Sequence, residues 1–187
     1  MRNEPKENQT LLALLAYTLF GQEMNIDAAS ADWNQVIAEA NRHAVAAPLY
    51  PGVKHLAGVP DAVVARVRNA ALLSAAKADD MLHNQSEVID ALKEKGIPCA
   101  VLKGFNVACC YEYPELCVPG DIDLLIGEEN LEAAYAAMAQ IGYNRDHETA
   151  MHIDFYGKGG SLELHRCASV FPKNEKRQYT HAYMAQV

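Results

Sequence analysis

Apolar residues recur at helical spacing throughout the first half of the chain. Leucines from Leu11 to Leu19 lie one helical turn apart and predict a first helix over residues 8–22. Asp32, a residue type that caps helix N-termini, precedes a second amphipathic stretch. No alternation typical of a strand occurs in this half. The pattern therefore predicts a helical region over residues 1–95.

The longest helical stretch begins at Pro60 and ends at the Gly96-Ile97-Pro98 sequence. At about 1.5 Å per residue, such a helix would exceed ~50 Å, which is longer than a small domain is wide. We therefore expect either a kink or break near Asp79 and Asp80, or a helix that bridges two lobes.

After Pro98 the pattern changes to short apolar runs separated by glycine and proline. Strands are predicted near residues 99–103, 121–126, 151–157 and 161–166. The glycine-rich connection between the last two predicts an antiparallel hairpin. The expected class is α+β: an N-terminal helical domain over residues 1–95, then a small mixed-sheet α/β domain over residues 96–187.

The net charge of the chain indicates which classes of partner to expect, and its cysteines and N-terminus indicate the cellular compartment. The net charge is −8 and no run of Lys or Arg occurs, which disfavours duplex nucleic acid as the main partner. The five cysteines lack the spacing of a zinc knuckle, so we expect buried free thiols in a reducing compartment. The N-terminus does not resemble a signal peptide, and no stretch is long and apolar enough to span a membrane. We expect a cytoplasmic protein without a membrane partner.

One stretch, Gly120–Gly127, carries two acids on a predicted buried strand. Side chains alternate along a strand, so Asp121 and Asp123 project from the same face. Two neighbouring carboxylates repel each other and are costly to desolvate, and a divalent ion such as Mg²⁺ removes that cost. The alternative is a strand end whose two aspartates face solvent.

Two further features would complete a phosphate-transfer site. Lys103 and Gly104 end the first predicted strand just before a short helix, an arrangement that suits a phosphate group. Lys103 could supply a point charge to phosphate oxygens or form an ion pair with the acids. Glu163 on a later strand could be a third carboxylate beside Asp121 and Asp123, completing a site for Mg²⁺ or Mn²⁺.

Four segments together resemble the polymerase-beta-like nucleotidyltransferase superfamily, and more closely a family of uncharacterised bacterial nucleotidyltransferases. These segments are Val101–Gly104, Gly120–Ile126, Ile141–Tyr143 and Leu162–His165. The resemblance implies a metal-dependent enzyme that moves a nucleoside monophosphate from an NTP to a hydroxyl of an unknown small-molecule or protein acceptor.

The resemblance also assigns roles by position. Asp121, Asp123 and Glu163 match the catalytic, metal-binding acids, while Lys103 and Gly104 match the nucleotide-binding loop. Mg²⁺ or Mn²⁺ is the implied cofactor.

Two departures from the superfamily pattern leave a second interpretation open. Phe105 follows the loop glycine where a small residue is usual, and Cys117-Val118-Pro119 stands where an arginine is often found. A catalytically degenerate nucleotide-binding or regulatory module with the same fold would tolerate both changes. In a third interpretation the acids are structural, with Glu163 and His165 held by hydrogen bonds. Convergence of the three carboxylates would argue against that structural role.

Overall fold

The structure is a computed structural model that describes residues 6–157 and 159–166. The α-helices in this part of the chain are α1 (Lys6–Phe20), α2 (Trp33–Arg42), α3 (Tyr50–His55), α4 (Asp61–Glu94), α5 (Phe105–Ala108) and α6 (Leu131–Gln140). The strands are β1 (Cys99–Val101), β2 (Ile122–Ile126), β3 (Tyr143–Glu148), β4 (His152–Gly157) and β5 (Gly160–His165). Helices occupy the chain from residue 6 up to β1, and all described strands follow. The predicted α+β class is confirmed.

The described chain divides into two compact units. The first consists of residues 6–82 and 105–119, and the second of residues 83–104 together with the described residues from Gly120 onward. Helix α4 therefore contributes to both units, which agrees with the expected bridging helix. The division of the chain at residue 95 stays a prediction.

Helix α4 runs without interruption, so no break occurs near Asp79 and Asp80, and the other expected alternative, a helix shared by two units, holds. No glycine or proline lies within α4, and both aspartates are exposed, so water solvates their charges at no cost to the helix. Among the described residues, no helix combines the length and apolarity needed to cross a membrane.

The first unit packs the apolar faces of its helices around a common core. Trp33 and Val36 of α2, Leu14 of α1 and Leu49 are buried together. Asp32 caps α2 as predicted, because its carboxylate accepts hydrogen bonds from two backbone N–H groups of the first turn, both at 3.1 Å.

The second unit is built on a five-stranded sheet with the order β1-β2-β5-β4-β3. Strands β2 and β5 are parallel, and the other neighbouring pairs are antiparallel, including the predicted β4–β5 hairpin. The central strands bury alternate apolar residues, namely Ile122, Leu124, Ile126, Ile153, Phe155, Leu162 and Leu164. The ring of Tyr135 on α6 lies 5.9 Å from that of Phe155, so α6 packs against this apolar side of the sheet.

Strand β3 is missing from the sequence prediction. Tyr143 is its one buried residue, and the following five are exposed, so the segment lacks the alternation of a half-buried strand. Antiparallel pairing with β4 holds it at the edge of the sheet, and Arg145 and Arg166 both form ion pairs with Glu148. Pairing with β4 therefore determines the strand geometry of this segment, although its local sequence pattern does not predict a strand.

The described cysteines confirm the prediction only in part: they are free thiols, but Cys109 and Cys110 are exposed and Cys99 and Cys117 are only half-buried, so the expected burial is wrong. Cys99, Cys109, Cys110 and Cys117 are free thiols, and burial raises the pKa of Cys99 and Cys117. Cys167 lies outside the described residues.

Candidate metal centre

Three carboxylates form a row across neighbouring strands of the sheet. Asp123 of β2 pairs with Glu163 of β5, which in turn pairs with Asp154 of β4. Residues paired between adjacent strands point to the same face. Because Leu162 and Leu164 point into the core, Glu163 between them points to the opposite face. The row of acids therefore lies on the side of the sheet away from that core.

The structure brings the three predicted acids together. Asp121 immediately precedes β2, and its carboxylate lies beside that of Asp123. One carboxylate oxygen each from Asp121, Asp123 and Glu163 lies within 4.8 Å of the other two. Asp123 is almost fully buried, with 2% of its surface exposed, and its Oδ2 has no hydrogen-bond partner among the described residues. Negative charge is thus concentrated around an unsatisfied, buried oxygen.

Lys103 is a cation in direct contact with this cluster. Its Nζ lies 3.1 Å from Oδ1 of Asp123 and 3.6 Å from Oδ2 of Asp121. The pairing of β1 with β2 places it there, because the backbone N–H of Leu102 donates to the carbonyl of Asp123 at 3.0 Å. Burial alone would lower the pKa of Lys103, but the hydrogen bond to Asp123 and the neighbouring carboxylate charges outweigh it and raise the pKa. In this structure Lys103 therefore forms the ion pair that sequence reasoning held as the alternative to a phosphate contact.

His165 is a second residue that contacts more than one of the acids. Its Nε2 lies 3.0 Å from Oδ1 of Asp123 and 3.1 Å from Oε2 of Glu163. A proton on this nitrogen can be donated to either carboxylate. The histidine therefore links the two acids and restricts their orientation.

The proton affinity of Glu163 is changed by its place in the cluster. Its pKa is raised, first because burial disfavours the charged carboxylate and next because the charge of Asp123 repels it. The two histidines nearby, His152 and His165, offset part of this increase. A positive ion beside Glu163 would favour its charged form.

Gly104 follows Lys103 as predicted and has a backbone φ of 72°, in the left-handed region that glycine adopts without strain. Helix α5 begins at the next residue, Phe105, whose side chain is buried. The order of strand, lysine, glycine and helix is therefore present. The nucleotide-binding roles of Lys103 and Gly104 stay predictions.

Two residues near the acids were not singled out from the sequence. His152 and Asp154 lie on β4, on the face that carries Glu163 and His165, with His152 Nε2 3.3 Å from Asp154 Oδ1. The available signal was the alternation of these two polar residues with buried Ile153. That signal shows which residues share a face, but it does not show which strand lies beside them.

Comparison with known proteins bears on the family alone. A search of curated proteins finds no match to this chain. The sequence profile of a family described as an uncharacterised nucleotidyltransferase matches residues 29–186, which is most of the chain and includes every site residue discussed above. The chain therefore belongs to this uncharacterised nucleotidyltransferase family.

Proposed function

We propose that the protein is a metal-dependent nucleotidyltransferase that moves a nucleoside monophosphate from an NTP to a hydroxyl group of an acceptor. The observation that carries the proposal is the convergence of Asp121, Asp123 and Glu163, whose oxygens lie within 4.8 Å of one another. The family membership supports the same reaction class. A structural role for the acids explains neither the crowding nor the unpartnered oxygen of Asp123.

The three acids fit a hard divalent ion such as Mg²⁺ or Mn²⁺. Such ions take oxygen ligands and are commonly held by one or two carboxylates together with substrate phosphates. The buried, unpartnered Oδ2 of Asp123 is suited to a ligand role, since an unpaired carboxylate oxygen is costly in the metal-free protein. When bound, the ion would neutralise charge on the transferring phosphate and on the attacking and leaving oxygens.

The chain's own residues orient the site. The hydrogen bond from Leu102 N–H to the carbonyl of Asp123 anchors the strand that carries both aspartates. His165 contacts both Asp123 and Glu163 through Nε2 and so restricts the orientation of the two carboxylates. These contacts pre-position the carboxylates, so little reorganisation is needed when substrate binds.

Lys103 would exchange partners when the nucleotide binds. In the metal-free chain its ammonium group balances the aspartates, and about half of its side chain is exposed. A cation bound by Asp121 and Asp123 would repel the ammonium group and release it toward triphosphate oxygens. The left-handed turn at Gly104 supports this proposal, because it follows Lys103 directly and carries no side chain.

A second candidate function is nucleotide binding without transfer. The ion pairs of Lys103 favour it, because they satisfy part of the carboxylate charge without any metal. The bulky Phe105 after the loop glycine is also compatible with a binding or regulatory module.

Thermal unfolding with Mg²⁺ and a panel of NTPs tests the proposal. A ligand at about 100 times its Kd stabilises the native state by ~2.7 kcal/mol, which corresponds to roughly 5–10 °C for a chain of this size. The double variant Asp121→Asn and Asp123→Asn should lose the Mg²⁺-dependent part of this shift. Asp90→Asn, which removes an exposed acid on α4, is the matched control.

Release of pyrophosphate in the same mixtures distinguishes the two candidates. Pyrophosphate formation by the wild type, absent from the double aspartate variant, supports transfer. Mg²⁺-dependent NTP binding without pyrophosphate, across a panel of hydroxyl acceptors, supports the binding module. A wild type that no NTP stabilises in Mg²⁺ refutes both.

A further inference from the structure

Two histidines lie beside the carboxylates on the same face of the sheet. His152 of β4 pairs with His165 of β5, and their ring centroids are 5.2 Å apart. One ligand atom each from His152, Glu163 and His165 lies within 4.8 Å of the other two. We call these three residues the histidine cluster. Asp154 adjoins this cluster, because it pairs directly with Glu163 between β4 and β5.

The spacing within this group matches that of ligands around a small divalent ion. Zinc binds nitrogen and oxygen ligands at about 2.0–2.1 Å, so ligand atoms in a tetrahedral site lie ~3.3 Å apart. His165 Nε2 is 3.1 Å from Glu163 Oε2, and His152 Nε2 is 3.3 Å from Asp154 Oδ1. These two pairs already have the required spacing, and His152, Glu163 and His165 each offer a ligand atom within 4.8 Å of the other two.

Polar groups in this region are incompletely satisfied. Oδ1 of Asp154 is buried and has no hydrogen bond of acceptable geometry among the described residues, although His152 is near. Nε2 of His165 is shared between two carboxylates. A bound cation would take the free oxygen lone pair and both imidazole nitrogens, which a neutral histidine can offer once its proton lies on the other ring nitrogen.

We propose that His152, Glu163 and His165, with Asp154 as a fourth ligand, form a second divalent-cation site of mixed nitrogen and oxygen character. Such a ligand set suits Zn²⁺ or Co²⁺, whereas Mg²⁺ prefers oxygen alone. The site is distinct from the oxygen site of Asp121 and Asp123, but the two share Glu163. Binding at the histidine cluster does not require the transfer reaction.

Titration with Co²⁺ in excess Mg²⁺ tests the site, using the full chain after chelator treatment. We expect one equivalent of Co²⁺ to bind with the visible absorption of a four-coordinate complex, and Zn²⁺ to remove that absorption. Removing a residue that hydrogen-bonds to a metal ligand weakens metal binding by about 10–100-fold. Because His152→Ala removes a ligand itself, it should weaken Co²⁺ binding by ~100-fold or more. His83→Ala is the matched control, since His83 is exposed and lies on α4, where it forms an ion pair with Glu87.

Asp121→Asn separates this proposal from the proposed function. We expect the variant to lose Mg²⁺-dependent NTP binding and to keep its Co²⁺ absorption. Loss of both together in this variant would mean that one shared oxygen site explains all metal binding, which overturns the second site.

The wild type itself provides a measurement that does not depend on the folding of a variant. Zn²⁺ should shift the imidazole nitrogen resonances of His152 and His165 together, and leave those of His83 unchanged. Unshifted resonances at either cluster histidine, or equal Co²⁺ affinity in His152→Ala and His83→Ala, would show that the histidine cluster is not a metal site.

Discussion

Replacing Lys103 with methionine tests how the metal-free chain tolerates its crowded carboxylates. The change removes an ammonium group that lies 3.1 Å from Asp123 and 3.6 Å from Asp121 and keeps a side chain of similar length. At an effective dielectric constant of about 20, a unit charge pair at the shorter distance is worth ~5 kcal/mol. This value is an upper bound, because it omits the cost of desolvation.

Two features of the site reduce the expected loss. The side chain of Lys103 is 54% exposed, so water screens its charge, and fully exposed ion pairs contribute only ~0.2–1 kcal/mol. Asp123 is completely buried at its side chain but keeps His165 as a second partner at 3.0 Å. We therefore expect Lys103→Met to lower the free energy of unfolding by about 1–2 kcal/mol. This value lies between the cost of losing an exposed ion pair and the cost of breaking a buried one.

Urea unfolding with chelator and with saturating Mg²⁺ provides the assay. The loss should be present in chelator and should shrink to within about 0.5 kcal/mol in Mg²⁺, because the ion replaces the missing positive charge. Lys93→Met is the control: Lys93 pairs with Asp90 at 3.7 Å and both side chains are 68% exposed, so the change should cost less than ~0.5 kcal/mol. Equal losses in the two variants, or a Lys103→Met loss that Mg²⁺ leaves unchanged, would refute this account.

The same variant tests the proposed phosphate contact. A hydrogen bond to a charged group is worth about 1.5–3 kcal/mol, so NTP affinity in Mg²⁺ should fall by roughly tenfold to a hundredfold. Unchanged NTP affinity in Lys103→Met would limit Lys103 to its ion pairs with the aspartates.

Three further predictions concern the acids and the glycine turn. Asp121→Asn with Asp123→Asn should abolish Mg²⁺ binding in calorimetry and leave metal-free stability equal or up to ~1 kcal/mol higher, because like charges are removed; an unchanged isotherm would contradict the metal site. The folded-state pKa of Glu163 is raised, so the native state holds its proton more tightly and wild-type stability falls as pH rises through the interval above the ordinary pKa of a glutamate. Glu163→Gln should therefore gain stability relative to wild type across that interval in metal-free urea unfolding, and a pH-independent difference would show that Glu163 is not strained by its neighbours. Gly104→Ala should cost about 1–2 kcal/mol in thermal unfolding, because φ is 72°, whereas Gly120→Ala, with open space around its Cβ, should be nearly neutral; equal effects would contradict the left-handed turn.

The elements predictable from sequence are those whose local pattern agrees with their tertiary role. The Asp32 cap precedes α2, and the alternation of the hairpin strands β4 and β5 reflects one buried face. Strand β3 could not be predicted, because its exposed polar residues gain their strand geometry from pairing with β4. The continuous course of α4 past Asp79 was one of two alternatives that its length left open, and the absence of a helix-breaking residue within α4 accounts for it.

The acids of the site could be identified from the sequence, but their neighbours could not. Asp121 and Asp123 are adjacent on one predicted strand, so their common face follows from alternation alone. Their closeness to Glu163 depends on parallel pairing between strands separated by 40 positions in the Asp123–Glu163 register. His152 and Asp154 become part of the same surface through a second pairing, with β5. Local alternation cannot determine either pairing.

The geometry of the carboxylate cluster is held by residues that take no part in its chemistry. Side chains alternate along a strand, so a slip of one residue between β2 and β5 would turn Glu163 into the core and expose Leu162. Leu162 and Leu164 are fully buried, and at about 1.5–3 kcal/mol for each buried leucine the slipped register would lose far more than the cluster could recover. Apolar burial therefore sets the register, and the register aligns Glu163 with Asp123. The repulsion among the acids is tolerated because the hydrophobic side of the same strands stabilises the only alignment that brings them together.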